Sequence, residues 1–211
     1  MKKGVKRKDT ADQKDETDWS LGLVLYVRDP TKYSDSVVTI SDDCIVVFDK
    51  FPKAKHHLLV LPRDESILNF SILRKQHVSL INRMVDVARS AAISFCTKDP
   101  SLRFLLGFHA VPTMKLIHLH VISQDFVAEG MKNKRLYNSF TTAFFVEPRV
   151  LIKQLEDNGR VSFDEQKYSG FLKCDMMCTR VGCDATLRNM PSLRTHLQSC
   201  TKPCRGEHPG S

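Results

Sequence analysis

Leu116-Ile117-His118-Leu119-His120-Val121-Ile122 constrains this 211-residue chain more than any other stretch. Apolar residues flank two histidines in alternation, and in a strand every second side chain shares a face. His118 and His120 are therefore expected to point one way with Leu116 and Ile122, while Ile117, Leu119 and Val121 enter a core. Two imidazoles on one face of an otherwise apolar strand are costly to bury without partners, so the strand must border a polar site. His57, just before Leu58–Leu61, and His109, after Gly107-Phe108, are candidates to join it. Such a cluster suits three readings: neutral nitrogens converging on a metal, one imidazole attacking phosphorus while its neighbours orient it, or a set of satisfied strand histidines. An ordinary pKa of about 6.5 leaves the ring largely neutral near pH 7, as both chemistries require. The acids at hand are Asp125 and the more distant Asp49.

Around this strand the hydrophobic pattern changes period. Val37–Ile40 and Cys44–Phe48 are short β-branched runs separated by the turn-like Ser41-Asp42-Asp43, and Leu58–Leu61 ends at Pro62. From Ile72 to Phe95 the period is helical, with Leu73, Leu80, Ile81, Met84, Val85, Ala88, Ala92 and Phe95 on one stripe. Phe104-Leu105-Leu106 and the histidine strand follow, then a short helix from Arg149 to Glu156 that stops at Asp157-Asn158-Gly159. Strands, one long helix and more strands make an α+β fold. His56 is expected to face solvent, opposite its neighbour His57, and His77 to sit on the surface of the long helix.

Seven cysteines is an odd number, and five of them fall between Cys174 and Cys204. That crowding favours a metal site over a disulfide framework. Cys178-x4-Cys183-x12-His196-x3-Cys200 has the spacing of a ββα zinc finger with cysteine as last ligand. Pro191–Leu197 reads as its helix, which puts His196 and Cys200 four residues apart on one face. Zinc would supply folding energy that so small a core lacks. Cys174 competes for the first position and Cys204 for the last.

The expected division is a disordered charged tail over 1–18, an α+β domain over 19–147, a helix and linker over 148–170, a zinc finger over 171–205 and a tail over 206–211. The first 18 residues hold six cations and five anions with no period. Five cations among the seven residues Lys2–Lys8 form a candidate nuclear import signal. No apolar run approaches the roughly 18–20 residues that cross a bilayer, and the start lacks the apolar stretch of a signal peptide. A cytosolic or nuclear chain with reduced thiols is expected. Of the net charge of +8, residues 131–211 carry 13 Lys+Arg against eight Asp+Glu. A basic third beside a zinc module points to a polyanion, nucleic acid first, against the alternative of a solvated basic face.

His118-Leu119-His120-Val121-Ile122 also resembles the end of the His-φ-His-φ-His-φ-φ motif of the histidine triad superfamily of nucleotide hydrolases and transferases. The likeness extends to Gly107-Phe108-His109-Ala110-Val111-Pro112-Thr113-Met114, Ser123-Gln124-Asp125-Phe126, Lys132-Asn133-Lys134, Tyr137-Asn138-Ser139-Phe140, Leu21-Gly22-Leu23 and Phe51-Pro52-Lys53-Ala54-Lys55. With the finger, it covers about residues 19–200 and is similar to the superfamily branch of DNA-adenylate hydrolases. The resemblance implies a triad-type antiparallel sheet with helices plus a small C2HC finger. It implies removal of AMP from the 5′-adenylated ends that abortive ligation leaves on nicked or broken double-stranded DNA; the alternatives are a hydrolase of small nucleoside phosphoramidates or adenylates and a non-catalytic nucleic-acid-binding module. His118 is then the nucleophile, which forms a covalent adenylyl-histidine that water hydrolyses. His120 and His57 donate to phosphoryl oxygens or orient the nucleophile, and His109 assists the leaving phosphate. Thr113 donates its hydroxyl, Asp49 accepts from the AMP ribose, and Leu21 adjoins the substrate. Trp19 stacks on the terminal base pair, with packing in the core as its rival. Lys132, Lys134, Arg135 and Arg194 contact DNA, with Lys132 nearest the chemistry. A structural zinc on Cys178, Cys183, His196 and Cys200, AMP as product, a nuclear location, no membrane partner and a monomeric state complete the expectation. Two departures from the motif stand out: Leu116 occupies the first triad position, and Thr113 replaces the usual Ser.

Overall fold

The computed structural model describes residues 18–206; the candidate import signal and residues 207–211 lie outside the described residues. Six strands form one antiparallel sheet in the order β1-β2-β3-β5-β4-β6. They are β1 (Val37–Ile40), β2 (Cys44–Phe48), β3 (His57–Pro62), β4 (Phe104–His109), β5 (Leu119–Ser123) and β6 (Phe145–Val146). The α+β reading holds. Helices α1 (Gly22–Arg28), α2 (Val78–Cys96), α3 (Lys134–Thr141), α4 (Pro148–Asn158) and α5 (Glu165–Phe171) surround the sheet. A two-stranded ribbon, β7 (Met176–Met177) and β8 (Thr186–Leu187), with helix α6 (Met190–Ser199), forms the ββα unit.

The sheet's two faces carry different loads. On one, Cys44, Val46, Leu58, Val60, Leu119 and Val121 pack against α2 and α4 in the largest core. This explains why β2 and the Leu58–Leu61 run of β3 are apolar throughout: their alternate residues Ile45, Val47, Leu59 and Leu61 face the other side, beneath Leu23, Val24 and Val27 of α1. Further along that second face, Ile122, Phe126, Met131, Tyr137 and Phe140 share a cluster with Cys178, Leu187, Leu193 and Leu197. The ββα unit therefore has no core separate from the rest. Between the two clusters lies the gap that the histidines fill.

Several boundaries differ from the sequence pattern. α2 begins at Val78 rather than Ile72, because Phe70–Ile72 and Lys75–His77 are 3-10 turns. His77 is not a helix-surface residue: its Nδ1 accepts from the Arg74 N–H at 2.8 Å and closes the turn that launches α2. His56 is half-buried, with its ring 4.5 Å from that of Phe95. The strand of the histidine motif starts only at Leu119, because Leu116 has a left-handed backbone, φ 67°.

Candidate active site and zinc centre

Sheet register brings three histidines onto one face. Leu59 and Gly107 flank His120 on either side, and His57 and His109 lie two residues from those positions on β3 and β4. These diagonal neighbours are within reach of large side chains. The His120 ring centroid lies 4.4 Å from that of His109, 5.2 Å from His57 and 5.0 Å from His118. Glycine at 107 makes the crowding possible, since a Cβ there would sit 2.5 Å from the Phe145 ring. The two imidazoles of the motif do share a face, and both expected companions join them.

Hydrogen bonds assign the tautomers. His118 Nδ1 donates to the Leu116 carbonyl at 2.8 Å, which leaves its Nε2 with a lone pair. Leu116 turns that carbonyl toward residue 118 by its left-handed backbone, while its side chain is buried in the cluster under α1. His57 Nδ1 accepts from the Lys53 N–H at 3.3 Å, so its Nε2–H donates to His120 Nδ1 at 3.0 Å. His120 consequently carries its proton on Nε2, a buried donor without a partner among the described residues. His109 Nε2 is likewise buried and unpartnered, and a backbone bond to Ser139 holds the other side of its ring.

Burial keeps all four rings neutral. Desolvation pushes His57 down to about 4, and it lowers His118, His109 and His120 below the ordinary imidazole value. For His118 the Leu116 carbonyl pulls the other way. For His109 and His120 the neighbouring imidazoles and the Lys53 ammonium add to the depression.

The remaining expected residues distribute unevenly. Asp49 lies at the rim of the cluster, with one oxygen accepting from the Phe51 N–H at 2.7 Å and the other 3.5 Å from His57 Nδ1. Asp49, His57 and His120 have metal-like spacing, but the facing nitrogens of the two histidines are bonded to each other. That bond favours the reacting-imidazole reading over the metal one. Thr113 is exposed and makes no hydrogen bond to the histidines among the described residues. Leu21 is half-buried against the α1 cluster. Trp19 is 70% exposed, so it does not pack in the core. It sits in a 3-10 turn capped by Asp18, which Lys115 holds through a 2.9 Å ion pair and a 2.7 Å bond from its N–H to the Ser20 carbonyl.

Two of the four expected DNA-contacting cations have protein partners instead. Lys134 pairs with Asp175 at 3.1 Å, and Arg194 Nη2 donates to the Met131 carbonyl at 3.2 Å. Both brace the ββα unit against α3, because its helix packs over the 130–135 turn. Lys132 and Arg135 remain exposed with no ion pair to a described residue. Lys53 escaped the sequence reading: its ammonium sits on the Phe51 carbonyl, is half-buried, and faces Asp49. Its place in Phe51-Pro52-Lys53-Ala54-Lys55 was the one signal that could have found it.

In the ββα unit, ligand atoms of Cys178, Cys183, His196 and Cys200 all lie within 4.8 Å of one another. Cys183 Sγ is 3.4 Å from His196 Nε2. Bonds of about 2.3 Å to sulfur and 2.0–2.1 Å to nitrogen give tetrahedral edges of about 3.5–3.8 Å, so the set fits zinc. The competitors fall elsewhere. Cys174 is exposed outside the group, and Cys204 Sγ faces Arg180 Nη1 at 2.7 Å. Capping by Asn189 starts α6, and the Cys200 N–H closes it on the His196 carbonyl at 2.8 Å, which fixes these two ligands relative to each other.

Residues 26–136 match the family model for the scavenger mRNA decapping enzyme C-terminal binding domain, and residues 141–202 match the C2HE/C2H2/C2HC zinc-binding finger. The chain is 40% identical over 181 residues to the aprataxin of Danio rerio, covering 86% of this chain and 53% of that protein. It is 31% identical over 191 residues to an aprataxin-like protein of Schizosaccharomyces pombe, covering 83% and 78%. The crystal structure of the aprataxin ortholog Hnt3 in complex with DNA superposes with a TM-score of 0.68 at 26% identity, over 85% of this chain and 93% of that one. This chain spans about half the length of the Ciona intestinalis, Danio rerio and Gallus gallus aprataxins it matches.

Proposed function

Because this chain belongs to the aprataxin family, we propose that it removes AMP from 5′-adenylated ends of nicked or broken double-stranded DNA. Its place would be the nucleus. The observation that carries this reading is the His118–Leu116 bond, which leaves an imidazole nitrogen unprotonated at neutral pH beside two unpartnered ring nitrogens. The DNA held by the Hnt3 structure and the exposed cations Lys132 and Arg135 support a DNA substrate.

The chemistry has two displacements. His118 Nε2 attacks the AMP phosphorus, the bond to the bridging oxygen breaks, and the electron pair leaves on the DNA 5′-phosphate. Water then attacks the same phosphorus and gives up one proton to solvent, the N–P bond breaks with its electron pair returning to Nε2, and AMP departs while His118 returns to its neutral form. His120 Nε2–H meets a non-bridging oxygen with no reorganisation, since no described residue competes for it. His57 fixes the His120 tautomer. A phosphate arriving beside His109 favours its protonated form, which suits it to assist the leaving group. Asp49 and Lys53 stand at the rim of the cluster, where a ribose and a phosphoryl oxygen can meet them. Thr113 reaches the substrate from its exposed loop, and Leu21 packs beside it. The four-ligand zinc site holds the finger in shape and donates no group to the reacting phosphorus.

The test is incubation with 5′-adenylated nicked DNA, followed by acid quench and detection of an AMP-protein adduct. The wild-type protein should release AMP and yield the adduct. His118→Ala should do neither while retaining DNA binding. Wild-type turnover in that variant would remove His118 from the mechanism.

A further inference from the structure

Helix α3 touches both the histidines and the zinc unit, and its four buried residues divide between them. Phe140 lies on the histidines: its ring centroid is 4.7 Å from that of His109 and 5.3 Å from those of His57 and His120, the last two edge-on. Ser139 supplies the backbone bond that holds His109. Tyr137 and Asn138, both fully buried, face the other way. The Tyr137 hydroxyl donates to the Met177 carbonyl at 2.8 Å, one residue before the zinc ligand Cys178. Asn138 Nδ2 donates to the Cys174 carbonyl at 2.6 Å, in the segment that enters the finger.

A helix of eight residues has little stability of its own, so its position follows from what it packs against. Here one side of the support is the zinc unit. The Lys134–Asp175 pair and the Arg194–Met131 bond add to that side. We propose that α3 makes the imidazole chemistry depend on the zinc finger, with Tyr137 and Asn138 as positioning residues that act through Phe140 and the Ser139 backbone. The finger then serves the chemical step as well as DNA binding. This inference rests on the function proposed above only in taking the histidines as the reacting centre.

The experiment separates the two roles with a substrate too small to reach the finger, adenosine 5′-phosphoramidate, beside adenylated nicked DNA. Zinc-loaded wild type, Asn138→Asp and Tyr137→Phe are compared for kcat and KM on the small substrate, DNA affinity, zinc per chain, and the imidazole NMR signals of His109 and His120. Asn138→Asp turns a donor that faces a carbonyl into a carboxylate. It should lower kcat about 10- to 100-fold, the order expected when reacting groups shift by a fraction of an ångström. KM, zinc content and DNA affinity should stay as in wild type, and both imidazole signals should move. Tyr137→Phe removes only the hydroxyl and should shift the same signals with a smaller loss of kcat; it carries the test if Asn138→Asp does not fold. Unchanged kcat and imidazole signals in the folded variants would overturn the proposal and leave the finger as a DNA clamp. Should wild type release AMP from neither substrate, the function proposed above fails, and the imidazole signals alone decide the role of α3.

Discussion

Leu116 is buried among Leu23, Val24 and Leu59, and its carbonyl accepts a hydrogen bond from His118 Nδ1–H. A branched residue with φ near +67° is uncommon, and the segment is clamped on both sides by bonds from the Lys115 N–H to Ser20 and from the Ile117 N–H to Ile67. The motif's first position thus orients His118 through its backbone, which makes a leucine there compatible with the nucleophile proposed above. The histidines were legible in the sequence because alternation reports which side chains share a face. The Leu116 carbonyl and the Lys53 contact were not, since backbone direction leaves no mark on residue identity. Neutral imidazoles predict the pH behaviour. Each folded-state pKa lies below that of the unfolded chain, so between pH 6.5 and about 4 the unfolded state binds more protons and stability falls as pH falls. Activity follows the same sign, because attack needs unprotonated His118. The acid limb of kcat/KM on adenylated nicked DNA should therefore lie below pH 6.5. A limb above 6.5 would show a His118 open to water or paired with an anion.

The short elements were harder to read than the long ones. α2 and α4 carry a clean stripe, and Gly159 in a left-handed conformation marks the end of α4. α1 is apolar on nearly every side, so it shows no period, and α3 buries Asn138 and Ser139 on the face where a helical stripe would be apolar. The 3-10 turn Trp19–Leu21 is an element whose use follows from its supports. Asp18 caps it, Lys115 ties it to the histidine segment, and Trp19 is left projecting. Trp19→Ala should therefore weaken binding to adenylated nicked DNA by about 1–3 kcal/mol, the worth of one base stacked on an aromatic ring. Thermal stability should change by less than about 0.5 kcal/mol, as for other exposed positions. Titration of labelled DNA beside a melting curve checks both. A several-degree drop in Tm with unchanged affinity would make the residue a packing element instead.

Across the whole molecule, charge and core are arranged independently. The cluster that joins the ββα unit to Phe126, Tyr137 and Phe140 is apolar, so only the exposed Lys134–Asp175 pair makes the finger's attachment depend on ionic strength. Among the cations of residues 131–211, some are occupied: Lys134 with Asp175, Lys153 with Asp157, and Arg149 with Glu147. Lys132 and Arg135, near the turn that leads from the histidines to the finger, have no ion pair to a described residue and are exposed. If these two neutralise phosphates of the DNA substrate proposed above, each such contact releases counterions. Affinity for adenylated nicked DNA should then fall about 10- to 100-fold between 50 and 200 mM salt, the result of a few phosphate contacts at a slope of about 0.9 each. kcat for adenosine 5′-phosphoramidate should stay nearly constant over the same range, because the imidazoles are buried and the core holding them is apolar. Lys132→Ala should reduce the DNA salt slope by about one unit and leave the small-substrate rate alone. If both substrates respond equally to salt, the fold itself is salt-sensitive; if DNA binding is flat, the exposed cations do not touch phosphate, and recognition must come from Trp19 and the active site.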